Sequence, residues 1–339
     1  MDTSTHEAPS KFICAAPVEK PQTLPAVQGS PLAPREEGTP LAEREDYIGQ
    51  HGSAHSAGVV SWLKNVPFIA MHVSCLAVFF VYPSWLSLTL CGVLYFARTF
   101  GISAGYHRYF SHRSFKTSRI LQFALAWLGC SAMQKGPLWW AAHHREHHRH
   151  TDTPEDPHSP IVRSFWWSHV GWVLSADYDE TNWPVVKDWT QYWELRLLNG
   201  LHWAPGLALA GMCWLIDGWS GLVWGFLVST VLLYHTTFAV NSFCHLFGTR
   251  RYATADASRN NWWVALLTLG EGWHNNHHHY QSSANQGFFW WEIDVSYYLI
   301  RLLGFTGLVW DIRKPTPHLL TDLAAHANPP PQKAAPGSL

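Results

Sequence analysis

The stretch His143-His144-Arg145-Glu146-His147-His148-Arg149-His150 sets three imidazoles, His144, His147 and His148, at spacings of three and four residues. On a helix such positions share a face, so the three rings can point at one spot, which is how a helix presents metal ligands. Gly136-Pro137 suits the start of that helix and residues 151–154 suit its stop. His274, His277 and His278 repeat the spacing far downstream, and Glu271 just ahead of them is placed to orient a ligand imidazole from behind. One such box alone could be a polar interfacial face with incidental histidines. Two identically spaced triads make coincidence a poor explanation.

A looser pair, His107 and His112 in HRYFSH, is five residues apart. On a regular helix the two would diverge by ~140°. Either the helix distorts there or the two serve different metals. His245 in NSFCH brings the count to nine, although taken alone it reads more readily as a buried structural histidine. Asn241, four residues earlier on the same helical face, could hold a metal-bound water. Nine neutral imidazoles are too many for one structural zinc, which takes four ligands and usually recruits cysteine. Two metals with four or five ligands each, leaving positions open for oxygen, fit better; imidazole suits iron, and paired iron can activate dioxygen.

The composition says where such a centre would sit. The chain of 339 residues carries 22 His and 21 Trp but only 14% charged residues, and its formal charge is −1. Excess histidine points to metal, excess tryptophan to a membrane interface, and a balanced charge argues against a dedicated nucleic-acid binder. The six cysteines form no CxxC pair and read as small buried hydrophobes, with no disulfide framework.

The elements that must position the boxes follow from hydropathy. Residues 1–55, rich in Pro, Ala, Ser, Thr and Glu, read as a disordered tail without a signal peptide, and 319–339 as a second tail. Between them, residues 56–318 form one domain. Apolar runs at 66–82, 85–104, 198–216 and 221–240 are each about long enough to span a bilayer, the third only if Leu198 to Leu201 complete it. They pair into two hairpins whose turns lack Lys and Arg. Lys64, Arg98, Arg108, Arg113, Lys116, Arg145, Arg149, Arg250 and Arg251 lie at the other ends, which puts both termini and every box on the cytosolic side. The shorter apolar run 120–133 reads as a helix lying against the bilayer or lining a cavity, WWSHVGW at 166–172 as an interfacial anchor, and 288–310 as an amphipathic helix on the cytosolic face. The fold class is therefore all-α and integral to the membrane: four transmembrane helices under a cytosolic helical cap that holds a histidine-rich metal site.

The boxes HRYFSH, HREHH and HNNHH, with NSFCH between the last two, resemble the membrane fatty acyl desaturases of the acyl-CoA delta-9 (stearoyl-CoA desaturase) type and their bacterial relatives. The likeness runs from about Gly101 to Pro315 and includes GISAGYHR, TDTPEDPH, WWSHVGW, HLFGTRRY, GEGWHN and WEID. It implies a di-iron centre held by His107, His112, His144, His147, His148, His245, His274, His277 and His278, with Asn241 acting through water. It also implies a kinked acyl tunnel lined by Gln134, Trp140 and Thr237. One departure concerns the substrate: Ala142 and His143 stand where acyl-CoA members often carry the Arg-Asp pair that helps hold coenzyme A, so an acyl-lipid or acyl-carrier substrate stays open beside the thioester.

The expected activity is oxygen-dependent desaturation of a saturated acyl chain, at carbons 9 and 10 by resemblance, with two iron ions as cofactor and dioxygen as co-substrate. With no fused cytochrome b5 domain, electrons would come from a separate ferredoxin, rubredoxin or cytochrome b5 with its reductase. An unactivated methylene has no acidic proton, so acid–base chemistry cannot start such a reaction. The nearest rival is a membrane hydroxylase with the same boxes. A histidine-rich metal transporter or buffer would place ligands inside the spans, whereas the boxes sit outside them, His72 and His235 being exceptions. Compact size and the absence of an evident retention signal favour a bacterial inner membrane over the endoplasmic reticulum.

Overall fold

The structure, a computed structural model, describes residues 62–317 and residue 320; the two terminal tails read from the sequence lie outside the described residues. The chain is mostly helical. Helix α1, Trp62–Ser74, runs into a 3-10 turn at Cys75–Phe79, and helix α2, Trp85–Phe100, continues without a break as a π-helix over Gly101–Ser111. Then come α3 (Arg119–Cys130), α4 (Pro137–His150), α5 (Trp193–Gly200), α6 (Ala204–Ser220), a π-helical stretch Gly221–Val228 and α7 (Ser229–Leu246). Three shorter helices follow: α8 (Trp262–Leu267), α9 (His274–His279) and α10 (Val295–Phe305). Among the described residues one two-stranded ladder pairs Lys116–Thr117 antiparallel with Val309–Trp310, and isolated bridges join Asn260 to Thr249 and to Trp273.

Among the described residues, two helices are long and apolar enough to cross a membrane, Trp85–Ser111 and Ala204–Leu246. The second is broken. Asp217 (φ −143°, ψ 30°) and Gly218 (φ 54°, ψ −140°) leave the helical region and turn the chain back on itself. Gly218 sits where a Cβ would be strained. A matching turn precedes α2, where Ser84 caps the helix in a reciprocal pair with Ser87. The two turns are stitched together: Ser84 donates to Asp217, the Ser84 amide to Ser220 Oγ at 3.1 Å, and Trp224 Nε1 to the Val81 carbonyl at 2.8 Å. The two turns therefore lie side by side.

Several boundaries differ from those read in the sequence. The third apolar run begins its helix at Ala204, because α5 ends at Gly200 and a turn at 201–203 precedes Pro205. Residues 288–310 are not one amphipathic helix. Only 295–305 are helical, and Glu292 and Asp294, read as part of a polar face, turn inward and are buried. Asp294 caps α10 and pairs with Arg108. Arg98 and Arg108, counted as cations flanking the spans, are fully buried: Arg98 donates to Thr230 and to the Ser131 carbonyl. The positive-inside argument then rests on the remaining cations.

The core that carries the site lies where the π-helix crosses α3 and α4. Small residues let the backbones approach: a Cβ on Gly105 would meet the Leu125 carbonyl at 3.1 Å, and one on Gly129 would enter the Tyr106 ring. Helix α3 turns Leu125, Ala126, Gly129 and Cys130 inward and leaves Ile120, Phe123 and Trp127 exposed, the two-faced character expected of 120–133. His72 and His235, two histidines inside the apolar runs, face each other at 3.3 Å, and His235 meets His169 at 3.1 Å. They tie α1, the π-helical turn Trp167–Gly171 and α7 together.

Candidate metal centre

The nine box histidines converge into two groups. His107, His112, His144, His148 and His277 form one, and His147, His245, His274 and His278 the other; within each group the candidate ligand atoms all lie within 4.8 Å of one another. Helices α4 and α9 divide their histidines in mirrored fashion. From α4, the i,i+4 pair His144 and His148 enters the five-histidine group while His147 enters the other; from α9, His274 and His278 join the four-histidine group and His277 crosses to the first. The alternative left open for His107 and His112 is resolved by the π-helix. Its i→i+5 bonding, seen in the His112 amide donating to the His107 carbonyl at 3.2 Å, puts residues five apart on one face. Their rings stand 4.8 Å apart, centroid to centroid.

Backbone contacts fix the short helix α9. Asn275 Oδ1 accepts from the amides of Arg251 and Tyr252 at 2.8 Å each, while Asn276 Nδ2 donates to Glu292 at 2.8 Å and to the Gln286 carbonyl at 2.9 Å. Those two asparagines hold the helix, and the histidines are left to the site.

Carboxylates set the tautomers. His147 Nδ1 donates to Asp156 at 3.0 Å, His245 Nδ1 to Asp152 at 3.1 Å and His278 Nδ1 to Asp256 at 2.9 Å; His107 Nδ1 pairs with Glu271, which also accepts from Arg108 and Ser103. With the proton on Nδ1, each of these rings turns an Nε2 lone pair toward its group. Four Nε2 pairs in the five-histidine group (His107 with His277, His277 with His148, His148 with His144, His144 with His112) stand 2.9–3.0 Å apart, and His245 and His274 stand 3.1 Å apart. Neutral ring nitrogens gathered this closely in two groups, five and four, are a donor set for metal. The donor set therefore fits two metal ions.

The electrostatics agree. Burial, reinforced by the neighbouring histidines, pushes His112, His144, His148, His274 and His277 well below the ordinary histidine range, and holds His278 at about 4 against the pull of Asp256. These rings are neutral at pH 7, the form that binds metal. His147 goes the other way: burial lowers it, but Asp156 more than offsets that. Burial would raise Glu271, yet His107 and Arg108 bring it down to about 2.

Beside the five-histidine group lies a cavity of about 510 Å³ lined by Gln134, Trp140, His144, Thr237 and Asn241. Gln134 donates to Thr237 at 3.1 Å, and the Trp140 indole stacks on His144 at 4.9 Å. Lys64, Lys135, Asp179 and Glu180 mark its polar end, where Asp179 accepts from both lysines. His143 also lines the cavity, its Nδ1 donating to the Trp139 carbonyl at 2.9 Å, while Ala142 is buried in the core. The structure thus brings together all nine histidines, sets Glu271 on His107, and lines one cavity with Gln134, Trp140, Thr237 and Asn241.

Sequence reasoning missed Asp152, Asp156 and Asp256. The first two had a signal, since an acidic pair directly after a histidine box is placed to fold back on it. Asp256 had none. It reaches His278 across 22 residues from a loop with no regular structure.

Comparisons with known proteins agree with this geometry. The family model for fatty acid desaturases matches residues 83–303. The Arabidopsis thaliana Delta-9 desaturase-like 5 protein is 41% identical over 265 residues, 76% of this chain and 87% of its own. The Anemone leveillei acyl-CoA C20 Delta5-desaturase is 40% identical over 250 residues (73% and 80%), and the Anabaena variabilis sn-1 stearoyl-lipid 9-desaturase 38% over 257 residues (75% and 94%). With the family matched over most of the chain and its relatives covered over most of theirs, this chain belongs to the fatty acid desaturase family and is a fatty acyl desaturase.

Proposed function

We propose that the chain is an integral-membrane di-iron enzyme that introduces a cis double bond between carbons 9 and 10 of a saturated acyl chain, carried on a glycerolipid or a thioester. The observation that supports it most is the pair of histidine groups, five and four, opening beside an apolar cavity through His144 and Trp140. In this reading the runs at 66–82 and 85–104, and those at 204–216 and 221–240, are two membrane hairpins. Both termini and the site face the cytosol, and the membrane is a bacterial inner membrane. The nine histidines would hold two iron ions, and Asn241, in the cavity wall, would supply a polar side chain beside them.

Two irons in such a site supply oxidising power, with dioxygen, that can break an unactivated C–H bond. The overall reaction takes two electrons from the chain and two from an external ferredoxin, rubredoxin or cytochrome b5, and releases two waters. The protein's own part is positioning. The Trp140 face, the Gln134–Thr237 hydrogen bond and Phe68, Tyr234 and Phe238 shape a cavity that holds an acyl chain bent beside His144. The aspartates keep Nδ1 protonated on His147, His245 and His278, and Glu271 does so on His107, so that the ligand lone pairs face inward. At the polar end, burial lowers His143 to about 4, which makes it a neutral partner for a head group where acyl-CoA members often carry an acid.

His147→Ala and His277→Ala, one from each group, test the assignment. Each is expected to abolish the unsaturated product and to lower iron from two per chain toward one. Full activity with unchanged iron content in either variant would overturn the ligand assignment.

A further inference from the structure

The two histidine groups differ in what stands behind them. In the four-histidine group, three of four rings donate Nδ1–H to an aspartate. The remaining partners of those aspartates are neutral. Asp152 accepts from Ser159 Oγ (2.6 Å) and the Ala257 amide (2.8 Å), Asp156 from the amides of Asp152 (2.8 Å) and His158 (3.0 Å), and Asp256 from the Ser258 amide (2.9 Å) and Thr254 Oγ1 (3.0 Å). All three carboxylates are buried or nearly so, so little water screens them.

Behind the five-histidine group the balance is different. His107 donates to Glu271, whose charge is shared with the Arg108 guanidinium at 2.8 Å. Arg108 also pairs with Asp294 at 2.9 Å, so that trio keeps one negative charge. His277 faces the neutral amide of Gln286 at 3.4 Å. The Arg145 guanidinium, its charge balanced by Asp188 at 2.8 Å, donates to the carbonyls of Phe110 and Ser111, next to His112, at 2.7 and 3.0 Å.

An imidazole whose N–H is held by a carboxylate is a more basic and electron-rich ligand, and it favours the higher charge on the metal it binds. Three such pairs stand on one side. On the other stands one, and an arginine already occupies it. We propose that Asp152, Asp156 and Asp256 make the two metal positions electronically unequal, so that the iron in the four-histidine group gives up an electron first. The step is Fe(II)Fe(II) → Fe(II)Fe(III) + e⁻, with the ferric ion among His147, His245, His274 and His278. The inference rests on the di-iron reading above and adds an order to it.

The test is a redox titration of the full chain in detergent, loaded with iron-57, using ferricyanide as one-electron acceptor and Mössbauer spectra to count ferrous and ferric sites. Fewer than two irons per chain in the parent protein would refute the di-iron reading itself. With two bound, two separate one-electron waves are expected. Asp156→Asn and Asp256→Asn should each raise the lower wave by about tenfold in the equilibrium constant, 59 mV for one electron, and leave the upper one in place. Asp256→Glu should restore the parent value, and Glu271→Gln should move only the upper wave. If an asparagine variant binds one iron only, that iron should titrate at the upper wave. A single unsplit wave, an upper wave moved by the aspartate variants, or a lone iron titrating at the lower wave would each overturn the proposal.

Discussion

At the scale of single residues, the Gln134–Thr237 hydrogen bond is the contact that the proposed function ties most directly to the product. It crosses the cavity between the segment after α3 and helix α7, which also meet where the Tyr234 hydroxyl donates to the Met133 carbonyl at 3.0 Å. Thr237→Val keeps the shape and removes the acceptor, leaving the Gln134 N–H without that partner at a cost of about 1–3 kcal/mol. The side chain is then free to turn, and in the proposed function the bend of the bound acyl chain relaxes. The expected result is a broadened distribution of double-bond positions in the product, read by mass spectrometry. An unchanged single position would show that the bend is set elsewhere in the wall. The same scale shows what a sequence reveals of a polar site. Glu271 was legible because it lies three residues before a box; Asp256 was not, because its contact with His278 is made through folding alone.

At the scale of elements, helical spacing carried the reading where the helices are regular and failed where they are not. The spacing of His144, His147 and His148 shows that one helix faces the site, but not that the i,i+4 pair serves one metal position and His147 the other. That division depends on α4 and α9 meeting between the two groups. His107 and His112 were ambiguous because a π-helix is invisible to a period of 3.6. What supports the π-helix is a tight crossing with α3, where Gly129 makes room for the Tyr106 ring and Tyr106 donates to the Lys135 carbonyl at 3.0 Å. Gly129→Ala drives a methyl into that ring, an overpacking that costs about 1–3 kcal/mol. Its thermal midpoint should fall and His107 and His112 should be displaced, so iron content should fall as well. A variant as stable and as iron-rich as the parent would contradict this account of the crossing. The polar acids of 288–310 teach a related lesson, for Glu292 and Asp294 looked like a solvated face and instead anchor α9 and Arg108.

At the scale of the whole molecule, nine imidazoles packed into one cap create a dependence on protons. In the metal-free protein, burial depresses His112, His144, His148, His274, His277 and His278, the last to about 4, whereas in the unfolded chain each titrates near 6.5. As pH falls below 6.5, the unfolded chain binds protons that the folded chain refuses, so stability falls, by at most about 1.4 kcal/mol per pH unit for each such group. His147, raised by Asp156, acts in the opposite sense but is one against six. Metal-free protein in detergent should therefore melt well below its pH 7.5 value at pH 5, and flat behaviour across that range would contradict the burial of these rings as neutral groups.

The central claim is that this cap and cavity desaturate an acyl chain, and the products test it most directly. The measurement is fatty-acid analysis by mass spectrometry, with double-bond location, of an aerobic host that lacks its own aliphatic desaturase and expresses this chain together with ferredoxin and its reductase. The account predicts a new cis monoene with its double bond between carbons 9 and 10, absent when His277 is replaced by alanine. A hydroxylated chain in its place, or a monoene that persists in the His277→Ala variant, would contradict it.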